Sequence, residues 1–140
     1  MNDLIGRLAG KLPGPWDAII GIPRGGLIVA ALLGYALDVQ RIESVVIDYV
    51  RDGNGRAHPV AAYSMERFQV GQRILLVEDA TDTGRLLNFA RPHLADRGAP
   101  ADITTAALWV RKDSDYRPDV WLEEVDTLPS AQSLIVGGGR

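Results

Sequence analysis

Apolar and polar positions along the chain switch repeatedly between a helical and a strand rhythm, and the switches predict most of its elements. Leu4, Ile5, Leu8 and Leu12 recur at helical spacing behind Asn2 or Asp3, either of which can cap a first helix. Pro13-Gly14-Pro15 stops it. Residues 16–21 read as a short buried strand, 22–26 as a tight glycine-containing loop, and 27–37 as a helix apolar on nearly every side, hence packed on a sheet. The β-branched run 41–50 reads as a strand. Asp52-Gly53-Asn54-Gly55 turns it back into a partner strand at 56–63. Gly71 precedes a strand at 73–77. Residues 84 to about 97 carry Leu86, Leu87, Ala90 and Leu94 on one helical side, with Pro92 expected to kink or break that helix. Strands at 103–110 and 120–122 follow, separated by the turn Tyr116-Arg117-Pro118-Asp119.

This alternation predicts an α/β fold: a single domain, 1–140, with a mainly parallel twisted sheet flanked by helices and one antiparallel hairpin at 41–63. In such sheets ligands bind beyond the carboxyl ends of the strands. Two informative loops, 22–26 and 78–84, fall at such ends.

Composition narrows the chemistry. At 140 residues, 46% hydrophobic and 24% charged, the chain has the balance of one globular domain with a real core. A net charge of −3 without a basic run argues against a nucleic-acid surface. The absence of cysteine excludes disulfides and thiolate chemistry and fits a cytoplasmic protein. No apolar run reaches membrane-span length, and the tail 137–140 is expected to fray.

The stretch Ile74-Leu75-Leu76-Val77-Glu78-Asp79-Ala80-Thr81-Asp82-Thr83-Gly84 concentrates the candidate chemistry. A buried strand delivers two carboxylates to a sheet edge. A loop with two threonines and a third acid then opens a helix. Backbone N–H groups at a helix start suit a phosphate, and carboxylates beside it suit a divalent cation or sugar hydroxyls. The bland alternative is an N-cap with a solvated neighbour. Pro23-Arg24-Gly25-Gly26 can bring backbone donors close to an anion, or can simply be a strand-to-helix turn. His58 and His93 read as surface residues, and Trp16, Trp109 and Trp121 as packing residues, with Trp121 best placed to meet a planar ligand. Arg111-Lys112 ends a strand, solvated or reaching a ligand's carbonyl.

Together the two loops resemble those of the type I phosphoribosyltransferases. Residues 75–85 are similar to the family's phosphoribosyl-pyrophosphate motif, residues 20–27 to its pyrophosphate loop, and residues 108–119 more loosely to the purine (hypoxanthine, xanthine, guanine) branch. The resemblance spans roughly 17–125. It implies transfer of 5-phosphoribose from phosphoribosyl pyrophosphate to a purine base, with Mg2+ present and pyrophosphate released, in a homodimer. It assigns the ribose hydroxyls and the metal to Glu78 and Asp79. The 5-phosphate goes to the loop Asp82, Thr83, Gly84 and Arg85, with Ala80 and Thr81 also among the phosphoribosyl-pyrophosphate contacts, and pyrophosphate to Arg24, Gly25 and Gly26 across a Pro23–Arg24 bond that is sometimes cis in the family. Asp82 lies near the nucleophilic nitrogen and acts with Arg24 as the catalytic pair. Arg111, Lys112 and Trp121 meet the base.

The chain departs from the family at three points. Leu86 stands where the purine members usually place a threonine or serine as a phosphate ligand. The loop between the hairpin strands is short, and the hood is reduced, with only Trp121 near the place of the base-stacking aromatic. These departures favour a second reading, a non-catalytic binding or regulatory protein on the same fold. A receiver-like domain using the acids for magnesium would leave Arg24-Gly25-Gly26 idle.

Overall fold

The computed structural model describes residues 1–63, 73–96, 102–129 and 131–136. The elements run α1 (Asn2–Ala9), β1 (Ala18–Gly21), α2 (Gly25–Leu37), β2 (Ile42–Ser44), β3 (Val46–Arg51), β4 (Ala57–Tyr63), β5 (Arg73–Thr81), α3 (Arg85–Asp96), β6 (Asp102–Arg111), β7 (Val120–Val125) and α4 (Ala131–Val136). Gly71, the end of the expected helix at residue 97 and the tail 137–140 lie outside the described residues.

Five strands form one parallel sheet in the order β2-β1-β5-β6-β7, and β3 with β4 forms a separate antiparallel pair. From β1 the chain crosses to β2 on one side; from β5 it crosses to β6 on the other. The strand order therefore reverses between β1 and β5, the place where open α/β sheets bind ligands. Period-two alternation divides the core between the two sheet faces. Ile19, Leu75, Val77 and Leu108 pack with Leu8, Val29 and Leu33 of α1 and α2. Ile20, Ile74 and Leu76 pack with Leu87, Ala90 and Leu94 of α3.

Several boundaries differ from the sequence expectation. The predicted strand 41–50 is two strands. Ile42–Ser44 takes a parallel place beside β1, buried Val45 donates its N–H to Gly21 O at 3.2 Å, and only from Val46 does the chain turn out into the hairpin. Tertiary pairing with β1 decides that break, and the β-branched run cannot reveal it. β5 runs on to Thr81, so Glu78 and Asp79 stand inside a strand and not past its end, held there by pairing of Glu78 with Ala107 and of Ala80 with Trp109. α2 starts at Gly25, making the loop glycines its first turn. α1 is capped by Met1 without a side-chain hydrogen bond, so neither Asn2 nor Asp3 caps it. Pro92 does not break α3. The amide it lacks would have bonded the Asn88 carbonyl, and both residues are exposed, so water can replace that bond. α4 had no sequence signal.

Candidate functional site

Parity along β5 builds the centre of the site. Glu78 shares the α3 face with Leu76, and Asp79 shares the α2 face with Val77. The two acids therefore serve different walls of one cleft. Glu78 is buried and its carboxylate accepts the Thr81 hydroxyl at 3.3 Å. Burial, reinforced by the neighbouring Asp79 charge and only partly offset by the Thr81 bond, pushes the Glu78 carboxyl up to about 8. Asp79 reaches the other way and lies against Gly25 at the head of α2. A Cβ at Gly25 would come under 3.0 Å from both Asp79 carboxylate oxygens. The strand acid and the loop after β1 are thus in van der Waals contact through a position with no room for a side chain.

The loop after β1 carries a cis Pro23–Arg24 peptide, as the resemblance implies. Arg24 caps α2 and its guanidinium donates to Gln132 of α4 across a long 3.5 Å contact. The loop after β5 closes the other end. Gly84 adopts φ +88, which other residues rarely reach, and its Cα presses on the Tyr116 backbone, whose N–H donates to Thr83 O at 3.2 Å. Thr83 Oγ1 accepts the Arg85 N–H at 3.3 Å at the start of α3. A cavity of about 170 Å3 opens here, lined by Tyr49, Glu78, Ala80, Asp82, Thr83, Gly84, Arg85 and Leu86. Arg85 donates to Ala57 O at 3.0 Å and stands 5.8 Å from the Tyr49 ring, which fastens the hairpin over this cavity. A larger cavity, about 340 Å3, lies behind the loop between α3 and Tyr116, away from the acidic pair.

The structure brings most of the expected residues together. Glu78, Ala80, Asp82, Thr83, Gly84 and Arg85 line one cavity. Thr81 lies beneath it on Glu78, and Asp79 meets Gly25 beside Arg24 and Gly26. Arg111 reaches Asp82 at 2.8 Å. Lys112 instead points to Asp126 at 3.6 Å. Trp121 pairs with Ala107 within the sheet and lies under the Arg117 guanidinium, 5.4 Å away. Neither lines the described cavity. Tyr49, Gln132 and Asp113, which fixes Arg111 from its other side, gave no sequence signal.

Among the described residues no three His, Cys, Asp or Glu side chains gather into a metal cage. Glu78 and Asp79 are nonetheless hard carboxylate donors of the kind a magnesium ion takes.

Comparison with known proteins agrees with this geometry. The phosphoribosyl transferase domain model matches residues 1–137. A bifunctional protein PyrR from Nitrosococcus oceani is 35% identical over 128 residues, covering 86% of this chain and 72% of that protein. A xanthine-guanine phosphoribosyltransferase from Cereibacter sphaeroides is 32% identical over 88 residues, covering 61% and 53%. Among solved structures, a purine phosphoribosyltransferase from Pyrococcus horikoshii superposes with a TM-score of 0.77 at 28% identity over 89% of this chain and 83% of that one. The chain belongs to the phosphoribosyl transferase domain family, and its sheet with appended hairpin is the type I phosphoribosyltransferase fold. It is a phosphoribosyltransferase. No helix among the described residues is long and apolar enough to cross a membrane.

Proposed function

We propose that the protein transfers 5-phosphoribose from phosphoribosyl pyrophosphate to a ring nitrogen of a 6-oxopurine, releasing pyrophosphate, as a step of purine salvage. One observation carries the reading: Asp79 and Gly25 join the acidic strand to the loop after β1, while Arg111 lies on Asp82 at the far end of the cavity. A ligand spanning that line has its pyrophosphate at Arg24, Gly25 and Gly26, its ribose at Glu78 and Asp79, its 5-phosphate at residues 80–85, and its base beside Arg111. Lys112, on Asp126, and Trp121, under Arg117, then fall outside the base contacts.

The reaction breaks the C1–O bond to pyrophosphate and forms a C1–N bond. Positive charge grows on the sugar and negative charge on the leaving group. Arg24 and the α2 amides stabilise the pyrophosphate, and the acidic pair stabilises the sugar. Asp82, as the loop acid, takes up the proton that the base nitrogen gives up. Glu78 and Asp79 would hold a magnesium ion, which would supply further charge neutralisation. The chemistry needs no covalent nucleophile. A cytoplasmic location and a homodimer belong to the same reading; the apolar side chains that α2 leaves exposed, Ile28 and Tyr35, support the homodimer, and sedimentation equilibrium tests it.

The deciding experiment incubates the protein with phosphoribosyl pyrophosphate, magnesium and guanine, xanthine, hypoxanthine, adenine or uracil, and follows pyrophosphate release and nucleotide formation. Turnover of a 6-oxopurine is expected. Tight binding of phosphoribosyl pyrophosphate with no turnover of any base would leave the binding or regulatory reading instead. Leu86 favours that second reading, because it lines the phosphate cavity with no hydroxyl to offer. Leu86→Thr should tighten phosphoribosyl-pyrophosphate binding by about 3- to 10-fold, since a hydrogen bond to a charged group contributes about 1.5–3 kcal/mol and ordering the hydroxyl offsets part of it. Looser binding in calorimetry would show that Leu86 does not face the 5-phosphate.

A further inference from the structure

Arg111 is held from two sides. Its Nε donates to Asp113 Oδ1 at 2.9 Å and its Nη2 to Asp113 Oδ2 at 3.2 Å, a side-on fork, while its Nη1 donates to Asp82 Oδ1 at 2.8 Å. A guanidinium has five N–H donors, cannot accept, and does not lose its charge in proteins. Three donors are taken here, which leaves one N–H on each terminal nitrogen. The fork on Asp113 also fixes the plane in which those two lie.

These pairs are exposed. The Asp113 side chain keeps 72% of its surface accessible, Asp82 59% and Arg111 41%. Ion pairs this open contribute little to folding. Their weight is geometric: without Asp113 a long arginine beside one acid would sample many rotamers, or turn its whole fork onto Asp82. One residue, Lys112, separates Arg111 from Asp113, and the turn that holds all three is closed by the Ser114 N–H donating to Arg111 O at 3.0 Å. The clamp is therefore built into the same short turn that follows β6.

We propose that Asp113 is a positioning residue for base selection. It holds the Arg111 guanidinium so that its two remaining N–H donors face an entering base that offers two acceptors side by side. A 6-oxopurine presents its carbonyl oxygen and the adjacent N7 in that pattern. A 6-aminopurine sets an N–H2 group against an arginine that has only donors, leaving a donor unpaired on each side. The inference rests on the reading of residues 82 and 111 as the base end of the site. Asp113 touches no substrate; it acts through Arg111.

The test is a double-mutant cycle of Arg111→Lys and Asp113→Ala, with Asp113→Glu as the conservative variant, read by steady-state kinetics on both substrates. Asp113→Ala should raise KM for the 6-oxopurine about 10-fold and narrow the preference over adenine. KM for phosphoribosyl pyrophosphate should stay within about 2-fold and the melting temperature unchanged. Asp113→Glu should recover most of the loss. In the Arg111→Lys background, Asp113→Ala should add little, because the fork it holds is gone. An unchanged base KM overturns the proposal, as do additive effects in the cycle or an equal rise in both KM values. If the wild type turns over no 6-oxopurine, the purine reading fails separately. The cycle is then read on uracil, or by calorimetry with guanosine and uridine 5′-monophosphates. A wild type that binds none of these overturns the role of Asp113 as well.

Discussion

Gly25→Ala should weaken binding of magnesium phosphoribosyl pyrophosphate about 100-fold while the protein stays folded. Gly25 is the first residue of α2, and no positive φ there demands glycine. Alanine is the better helix former by up to about 1 kcal/mol, so the backbone itself loses nothing. The new methyl, however, would come under 3.0 Å from the Asp79 carboxyl carbon and both its oxygens. Those atoms end a side chain and are not backbone, so Asp79 can rotate away, and the damage falls on its position. On the proposed function, a displaced carboxylate would lose its charge-assisted bonds to the ribose and its place at the metal. At about 1.5–3 kcal/mol each, two such bonds account for a factor of roughly 100. Calorimetric titration together with a thermal melt separates affinity from stability. Asp79→Asn keeps the shape and loses the charge, and should show a smaller loss. The double variant Gly25→Ala/Asp79→Ala should bind no more weakly than Asp79→Ala alone. Wild-type affinity in Gly25→Ala would show that the contact across the two loops plays no part in binding.

That contact marks the boundary of what the sequence can reveal. The acidic pair, the threonines and the glycines were legible because they break an otherwise apolar run, and an expensive break in a buried strand needs a reason. The parallel sheet was legible because its central strands are uniformly apolar and alternate with helical spacing. What stayed hidden depends on partners distant in the chain. Val45 ends one strand and begins another only because Gly21 O is there to accept its N–H. Strand β5 continues through Thr81 only because β6 offers Trp109 and Val110 as neighbours. Tyr49 enters the cavity beside Glu78 because Arg85 fastens the hairpin, and Gln132 meets Arg24 from a six-residue helix too short to show a period. Arg111 was singled out as a base contact, but its hold on Asp82, and Asp113's hold on it, are exposed side-chain contacts that no local pattern encodes.

Glu78→Gln should stabilise the free protein at pH 8, have little effect at pH 5, and cost ligand affinity at both. In the fold the Glu78 carboxyl is raised from an ordinary value of 4.5 to about 8, chiefly by burial and next by the Asp79 charge. An acid raised on folding binds more protons in the native state than in the unfolded one. Below pH 4.5 both states are protonated and Glu78 carries no penalty. Between 4.5 and 8 folding takes up a proton, and stability falls as pH rises, by at most about 1.4 kcal/mol per pH unit. Above 8 the buried charge costs its full amount, of order several kcal/mol. Glutamine keeps the shape and removes that dependence. In magnesium-free buffer with a chelator, the melting curves of the two proteins should therefore converge near pH 5 and separate by roughly 10 °C near pH 8, at about 2–4 °C per kcal/mol for a chain of this size. Equal pH profiles would mean that water reaches Glu78 freely and that the carboxyl ionises in the ordinary range. The lost affinity has the opposite origin. On the proposed function, ribose hydroxyls and a hard cation would both need the ionised oxygens that burial resists. A residue that weakened the free fold and strengthened the proposed complex would mark a position kept for function against stability, and in β5 the candidate is the first acid after four buried apolar residues.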